Sequence, residues 1–330
     1  MLYIQLVPLF FLLRFWRNIM SYSKTALNTN ELISKIKSKW FFVKYDSIVE
    51  DFISKNGYFH IVPYIKCFTK KDEDWVSKTE IDNLDFDNVI SLYNIDIKLQ
   101  TTLFSALKQI EIYLKSNFIK YSLLEYNDPM WYTKWVHISM NNRNDWINIF
   151  QEIQEDRWES DTVKDFFKKY PDEEYLPIRI TIEISSFWPF TKLFSYISPN
   201  ILRQFSLNLW VEYFYKWTSL HYNFSQLKWW LRWFAKLRNR IAHSEITWSP
   251  SPLPLIALPR ISKPLNTTCS YIQLIKHVLS IIPWEDASEF YRQCYLLLKQ
   301  IEWIQWITEK EKMRIWITWN WENRFKNVII

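Results

Sequence analysis

Apolar residues recur at spacings of three and four along several stretches of this 330-residue chain, which is typical of helices with one buried face. The clearest stretch runs from Asp85 to about Tyr121. Its apolar positions form one stripe: Leu99, Leu103, Leu107, Ile110, Leu114 and Phe118. A second clear helix runs from Asn223 to about His243. The pattern therefore predicts a mainly α protein built around long amphipathic helices.

Shorter helices are predicted on both sides of the two long ones. They cover residues 27–39, 46–56, 142–155, 162–169, 271–282 and 287–306. Residues 178–184 alternate between apolar and polar side chains, which taken alone is typical of a β-strand, and both interpretations stay open. Five prolines between Ser249 and Pro264 exclude a helix there, because proline cannot continue one.

The chain divides into four predicted segments. Residues 1–19 begin with an apolar run that is shorter than the roughly 20 residues of a membrane span and has no basic region before it. Because a polar segment opens at Met20, we interpret residues 1–19 as a spurious upstream extension and expect no membrane segment. A small N-terminal helical head is predicted over 20–84, a helical bundle over 85–312 and a basic tail over 313–330.

Glycine is almost absent, and tryptophan is abundant. The chain has 1 glycine and 20 tryptophans, whereas average usage of about 7% would give roughly 23 glycines. Glycine supplies the positive φ angles of turns and helix ends, and tryptophan stands beside turn residues at Trp248 and Trp319. We hypothesise that a UGA codon that means glycine in the source was translated as tryptophan at many positions. A drifted low-GC composition is the alternative, but it does not explain the enriched tryptophan.

Composition and motifs exclude several classes of protein. With 48% apolar and 23% charged residues and a net charge of +6, the chain is globular and not disordered. Its three cysteines, Cys67, Cys269 and Cys294, are far apart, which favours reduced thiols, a cytoplasmic location and no zinc site. No HExxH, GxSxG, Walker loop or GxGxxG is present, even with every tryptophan replaced by glycine. We therefore expect neither a metal nor a cofactor.

The helix that ends near His243 has one strongly basic face. At about 100° per residue, this face carries four cations with an amide and an imidazole: Lys228, Arg232, Lys236, Arg240, Asn239 and His243. The four cations are candidate RNA-binding residues, because such a stripe can track a nucleic-acid backbone. A solvated helix face is the alternative interpretation.

Arg238 points toward the apolar side of the same helix and needs an anionic partner there. An unpaired buried charge costs several kcal/mol. Asp96 and Glu111 lie inside the apolar stripe of the long helix, so we hypothesise that these supporting carboxylates pair with Arg238 across the bundle. The alternative is an ion pair with no role beyond fixing the helix register.

Residues 238–243 read R-N-x-x-x-H at a helix end, before the proline-rich loop. In this context the chain resembles the Abi-like family of abortive-infection proteins of the AbiD and AbiF type, whose helical domain belongs to the HEPN group of ribonucleases. The likeness covers about residues 20–325. It rests also on Tyr22–Leu27, on Asn56–Phe59 followed by Pro63 and Tyr64, on Asp128–Tyr132 and on Leu176–Ile178.

The same resemblance bears on two open questions. The family has glycine in the turns where this chain has Trp40 and Trp188, which supports the codon hypothesis. It also favours a helix for residues 177–187, against the strand that the alternation indicates.

The resemblance implies a HEPN-like bundle that cleaves RNA without a metal, at a homodimer interface where the R-x4-H helices of two subunits meet. His243 would move the proton of a ribose 2′-hydroxyl, Arg238 would stabilise charge on the phosphate, and Asn239 would hold the imidazole or a phosphate oxygen. The product would be a 2′,3′-cyclic phosphate. The protein would then be a phage-defence toxin, with a small antitoxin RNA as a further partner.

Two other classes of function stay open at this point. A noncatalytic RNA-binding protein, controlled by a partner RNA, would use Arg238 and His243 only to grip phosphate. A structural helical adaptor would need Arg238 satisfied inside the core and His243 turned away from solvent.

Overall fold

The structure, a computed structural model, describes residues 26–71, 77–79, 83–134, 148–153, 155, 158–197, 200, 224–247, 268–283, 285–304 and 307. The predicted extension 1–19, the tail 313–330 and the proline-rich loop lie outside the described residues. Within them the chain is mainly helical, which confirms the predicted fold class. None of the described helices is both long and apolar enough to cross a bilayer.

The N-terminal head contains three short helices: α1 (Thr29–Lys37), α2 (Asp46–Asn56) and α3 (Tyr58–Ile65). Asn28 and Glu31 form a capping box that begins α1. Gly57, at φ +76°, separates α2 from α3. The periodicity predicts α1 and α2 but not α3, which carries Pro63 in its interior.

Two pairs of very short strands complete the head. Strand β1 (Phe41–Phe42) pairs in parallel with β4 (Leu84–Asp85), and β2 (Thr69–Lys71) pairs antiparallel with β3 (Ser77–Thr79). These strands were not predicted, because two or three residues are too few to show an alternating pattern.

One helix of 40 residues, α4 (Asp87–Tyr126), spans the bundle. At about 1.5 Å per residue it is roughly 60 Å long. All six residues of its predicted apolar stripe are buried. The helix continues to Tyr126, beyond the predicted end, and stops where Asn127 adopts a left-handed φ of 46°.

The remaining labelled helices are α5 (Asp161–Lys169), α6 (Ile178–Ile184), α7 (Phe187–Tyr196), α8 (Phe224–Ala242), α9 (Thr268–Leu279) and α10 (Ala287–Glu302). Residues 148–153 are also helical. Segment 178–184 is a helix, as the family resemblance favours. Ile178 and Ile182, four residues apart, are both buried, while Arg179 and Glu183 pair on the exposed side.

Helix α4 is the common support of the fold. Helices α3, α6, α8, α9 and α10 all pack on it, and one cluster of buried apolar side chains extends from the head into the bundle. Cys67 and Cys294 are buried in that cluster. The head and the basic helix α8 therefore rest on the same element.

Trp40 occupies a glycine-like position between α1 and β1. Its φ is +68°, and its side chain is 43% exposed, so the indole is not held there by burial in the core. A left-handed conformation costs an L-residue about 1–2 kcal/mol, and glycine avoids this cost. The conformation supports the hypothesis that glycine is the natural residue at position 40.

We expect Trp40→Gly to raise the free energy of unfolding by about 1 kcal/mol in denaturant titrations, because it removes the left-handed strain. The matched control is Trp303→Gly, since Trp303 is 82% exposed but has φ −77°. Glycine at position 303 should not raise the free energy of unfolding. Equal gains at both positions, or none at position 40, would contradict the codon hypothesis for Trp40.

Candidate functional site

Helix α8 has one buried apolar side and one side with exposed cations. Its apolar side is buried: Trp230, Leu231, Phe234, Ala235, Leu237 and Ile241. This side packs mainly against α7 and α4. Arg232 and Lys236 are exposed on the other side. Lys228 is partly buried, and both this burial and the nearby charge of Arg232 lower its pKa.

A Schellman turn ends α8 and sets the position of His243. Ser244 adopts a left-handed φ of 54°, and its N–H donates to the carbonyl of Ile241 at 3.0 Å. The N–H of Glu245 donates to the carbonyl of Arg240, also at 3.0 Å. His243 is thereby the C-cap residue that directly follows α8, and it is exposed to solvent.

The chain after this turn is held by Asp96, a fully buried carboxyl group in the first third of α4. Asp96 accepts hydrogen bonds from the Thr247 hydroxyl, from the Thr247 N–H at 3.4 Å and from the Tyr64 hydroxyl at 2.6 Å. Gln100 donates to the same carboxylate at 2.8 Å and to the Glu245 carbonyl at 3.2 Å. We call these four residues, Tyr64, Asp96, Gln100 and Thr247, the Asp96 clamp.

Burial and hydrogen bonding act in opposite directions on Asp96. Burial raises the pKa of the carboxyl group, and the donors from Thr247, Tyr64 and Gln100 oppose that rise. Burial and the neighbouring Asp96 also raise the pKa of Tyr64, so its hydroxyl keeps its proton and donates. The clamp therefore surrounds a buried carboxyl group with hydrogen-bond donors in a place that excludes water.

The predicted pairing of Arg238 with Asp96 and Glu111 is wrong. Asp96 belongs to the clamp, and Glu111 pairs with Lys115, four residues later on α4, at 2.7 Å. The Arg238 guanidinium instead lies over the ring of Phe104, 5.7 Å from its centroid. Helical periodicity correctly places both carboxylates on the buried side of α4, but it does not determine which residue of another helix lies at their height.

The structure places Arg238 apart from the other two candidate catalytic residues, Asn239 and His243. Arg238, partly buried, faces α4, whereas His243 projects into solvent about 140° around the helix axis. Asn239 lies one turn before His243, and its carbonyl accepts from the His243 N–H. One α8 helix thus presents the imidazole and the guanidinium on different sides.

Arg240 differs from the exposed cations of the predicted stripe. Its side chain is only 11% exposed, and its Nε lies 3.6 Å from a carboxylate oxygen of Glu245. The predicted RNA-binding stripe therefore contains three solvent-accessible cations and one enclosed arginine.

Sequence reasoning missed Tyr64, Gln100 and Thr247. A usable signal was present for Gln100, which follows Asp96 by four residues and is a second polar side chain inside an apolar stripe. No pattern pointed to Thr247, because its partner lies 151 residues away along the chain. Among the described residues, no group of three or more His, Cys, Asp or Glu side chains is placed to hold a metal ion.

Comparison with known proteins gives one match. The sequence matches the model of a family described as Abi-like protein over residues 51–249. This range includes the whole Asp96 clamp and the segment from Arg238 to His243. Comparisons with curated proteins and with solved structures gave no match.

We expect Thr247→Val to lower the free energy of unfolding by about 1–3 kcal/mol, because it removes one of the two hydroxyl donors of the buried Asp96. The control is Thr101→Val on the exposed side of α4, where the hydroxyl donates only to the carbonyl of Ile97. That change should stay within about 0.5 kcal/mol. Denaturant titration measures both, and equal effects would contradict the clamp.

His277 gives the stability a defined pH dependence. Burial lowers its pKa to about 4, and its ring lies edge-on to Trp230. Between about pH 6.5 and pH 4 the unfolded chain takes up a proton that the folded chain does not, so stability falls as pH falls. We expect a loss of up to about 3 kcal/mol across this window relative to His277→Gln. Parallel pH profiles of the two proteins would contradict this.

Proposed function

Because the chain belongs to the Abi-like protein family, its role lies in abortive infection, a form of phage defence, and we propose that it acts there as an endoribonuclease of the HEPN type. The substrate is RNA, and the reaction needs no metal ion. RNA suits this chemistry because every phosphate has a 2′-hydroxyl beside it. Control by a small antitoxin RNA is part of the same proposal.

The observation that carries the proposal is the exposed His243 at a rigid helix end. The Schellman turn holds this end from one side, and the Asp96 clamp holds the chain two and four residues after His243, at the Glu245 carbonyl and at Thr247. Catalytic groups need to be fixed closely in space, because small misplacements cost large factors in rate. An exposed imidazole on so constrained a segment is suited to proton transfer and opposes the adaptor interpretation.

In the proposed reaction, His243 accepts the proton of the 2′-hydroxyl while the 2′-oxygen forms a bond to phosphorus. The bond between phosphorus and the 5′-oxygen breaks, the leaving oxygen takes a proton from solvent water, and His243 returns its accepted proton to the solvent. The products are a 2′,3′-cyclic phosphate and a 5′-hydroxyl. The planar Arg238 guanidinium donates to the phosphate oxygens as their charge grows, and Asn239 orients the imidazole.

The separation of Arg238 and His243 supports a homodimer. A single α8 helix directs these two side chains about 140° apart, toward different surroundings. Two helices that meet around a twofold axis can bring the imidazole of one subunit to the guanidinium of the other. Lys228, Arg232 and Lys236 then provide the backbone contacts that dominate RNA affinity.

Cleavage assays on the wild type beside His243→Ala test the proposal. We expect the variant to cut RNA at least about 100-fold more slowly than the wild type, because it lacks the proton-transfer group. It should retain RNA binding. His60→Ala is the control, since His60 is also an exposed histidine, in α3. It should cut like the wild type, and a chelator should change nothing. Equal cutting by wild type and His243→Ala would end the catalytic claim, and binding without cutting by the wild type would favour the noncatalytic RNA-binding alternative.

A further inference from the structure

Arg240 is an enclosed arginine with an unused donor. Its Nε contacts the Glu245 carboxylate, but its Nη1 is buried without a hydrogen-bond partner. A buried donor without a partner is costly and unusual in folded proteins, so it requires an explanation.

Helix α9 has two further buried hydroxyls of the same kind. The Tyr271 Oη and the Thr268 Oγ1 are both buried and have no hydrogen-bond partner. The Tyr271 ring stacks on Trp233, with centroids 5.3 Å apart, and Trp233 lies two turns before Arg240 on the same face of α8. Because His277 contacts Trp230, α9 runs antiparallel to α8, and its first turn lies toward Arg240.

The cluster of Arg240, Tyr271 and Thr268 has three donor groups and no anion among its members. The Arg240 charge acts on the Tyr271 phenol and opposes the rise in its pKa that burial causes. The phenol nevertheless stays protonated at neutral pH and is available as a donor. A guanidinium N–H, a phenol and a hydroxyl together need an acceptor, preferably an anion.

The only acid that pairs with Arg240 among the described residues is Glu245, and this contact is loose. Its distance of 3.6 Å is longer than that of a charge-assisted hydrogen bond, and the Glu245 side chain is about half exposed. An exposed carboxylate can move away from the guanidinium without leaving a buried charge of its own.

We propose that Arg240 and Tyr271, with Thr268, form an anion subsite that takes a phosphate group of bound RNA in exchange for the Glu245 carboxylate. This rests on the proposed function, because the phosphate belongs to the RNA that is presented to His243. In the absence of RNA the Glu245 carboxylate occupies the place of that phosphate, and the two compete for Arg240.

Tyr271→Phe is the first test, with inorganic phosphate as probe. In chloride buffer we expect unchanged or higher thermal stability, because the hydroxyl it removes has no partner. In phosphate buffer of equal ionic strength the wild type should be stabilised, and the variant should lose that gain. Retention of the phosphate response by Tyr271→Phe would overturn the subsite.

RNA affinity, measured in the His243→Ala background so that nothing is cut, is the second test. Tyr271→Phe should weaken binding by roughly tenfold, as expected for the loss of one charge-assisted hydrogen bond. Glu245→Gln should strengthen binding beyond its control Glu302→Gln, which removes the same charge from an exposed position on α10. Unchanged RNA affinity in Tyr271→Phe, or equal effects of the two glutamines, would overturn the proposal.

These binding measurements are independent of catalysis. A wild type that binds RNA without cutting it would defeat the proposed nuclease, while a weakened Tyr271→Phe would still support the subsite. A wild type that cuts RNA together with a Tyr271→Phe variant of full affinity would support the nuclease and defeat the subsite.

Discussion

The arrangement of the site depends on one buried carboxylate. Asp96 joins three parts of the chain, because Tyr64 precedes it by 32 residues and Thr247 follows it by 151. A carboxylate taken out of water is tolerated only where donors replace its hydration. Every donor that Asp96 needs therefore has to be in place when the protein is folded. The exposed end of α8 is in this way tied to the head helix α3 and to α4, and its geometry is a property of the whole fold.

The elements of this fold follow from the sequence to different degrees. The long stripe of α4 and the two faces of α8 are predictable, because side-chain direction along one helix depends only on residue spacing. The partners across helices are not predictable in this way. Asp96 was correctly placed on the buried side of α4, but its partner proved to be Thr247 and not Arg238. Helix α3 was not predicted, because Pro63 lies in its interior. Helix α6 shows that seven residues of alternating polarity can also form a helix, because Ile178 and Ile182, four residues apart, lie on one buried side.

The residues with positive φ show which side chains replace glycine in the turns of this chain. Asn83 and Asn127 adopt positive φ, which asparagine tolerates better than most residues, whereas Trp40 does so without such tolerance. Ser244 is a separate case, because it lies in the turn that positions His243. Strained backbone persists where the surroundings fix it firmly, and here the Asp96 clamp fixes the Glu245 carbonyl and Thr247 directly after the turn. Trp40, by contrast, does not lie in the turn that positions His243.

The turn at the end of α8 links the imidazole to the anion subsite that we propose. Its hydrogen bond from the Glu245 N–H to the Arg240 carbonyl brings these two residues together, and their side chains meet as a consequence. His243 lies between them in the chain and projects outward. A phosphate that replaces the Glu245 carboxylate would break only the side-chain contact, because the backbone bonds of the turn and the bond from Gln100 to the Glu245 carbonyl do not involve that carboxylate. In the proposed subsite, RNA would therefore exchange with Glu245 at Arg240 while the backbone that carries His243 keeps its position.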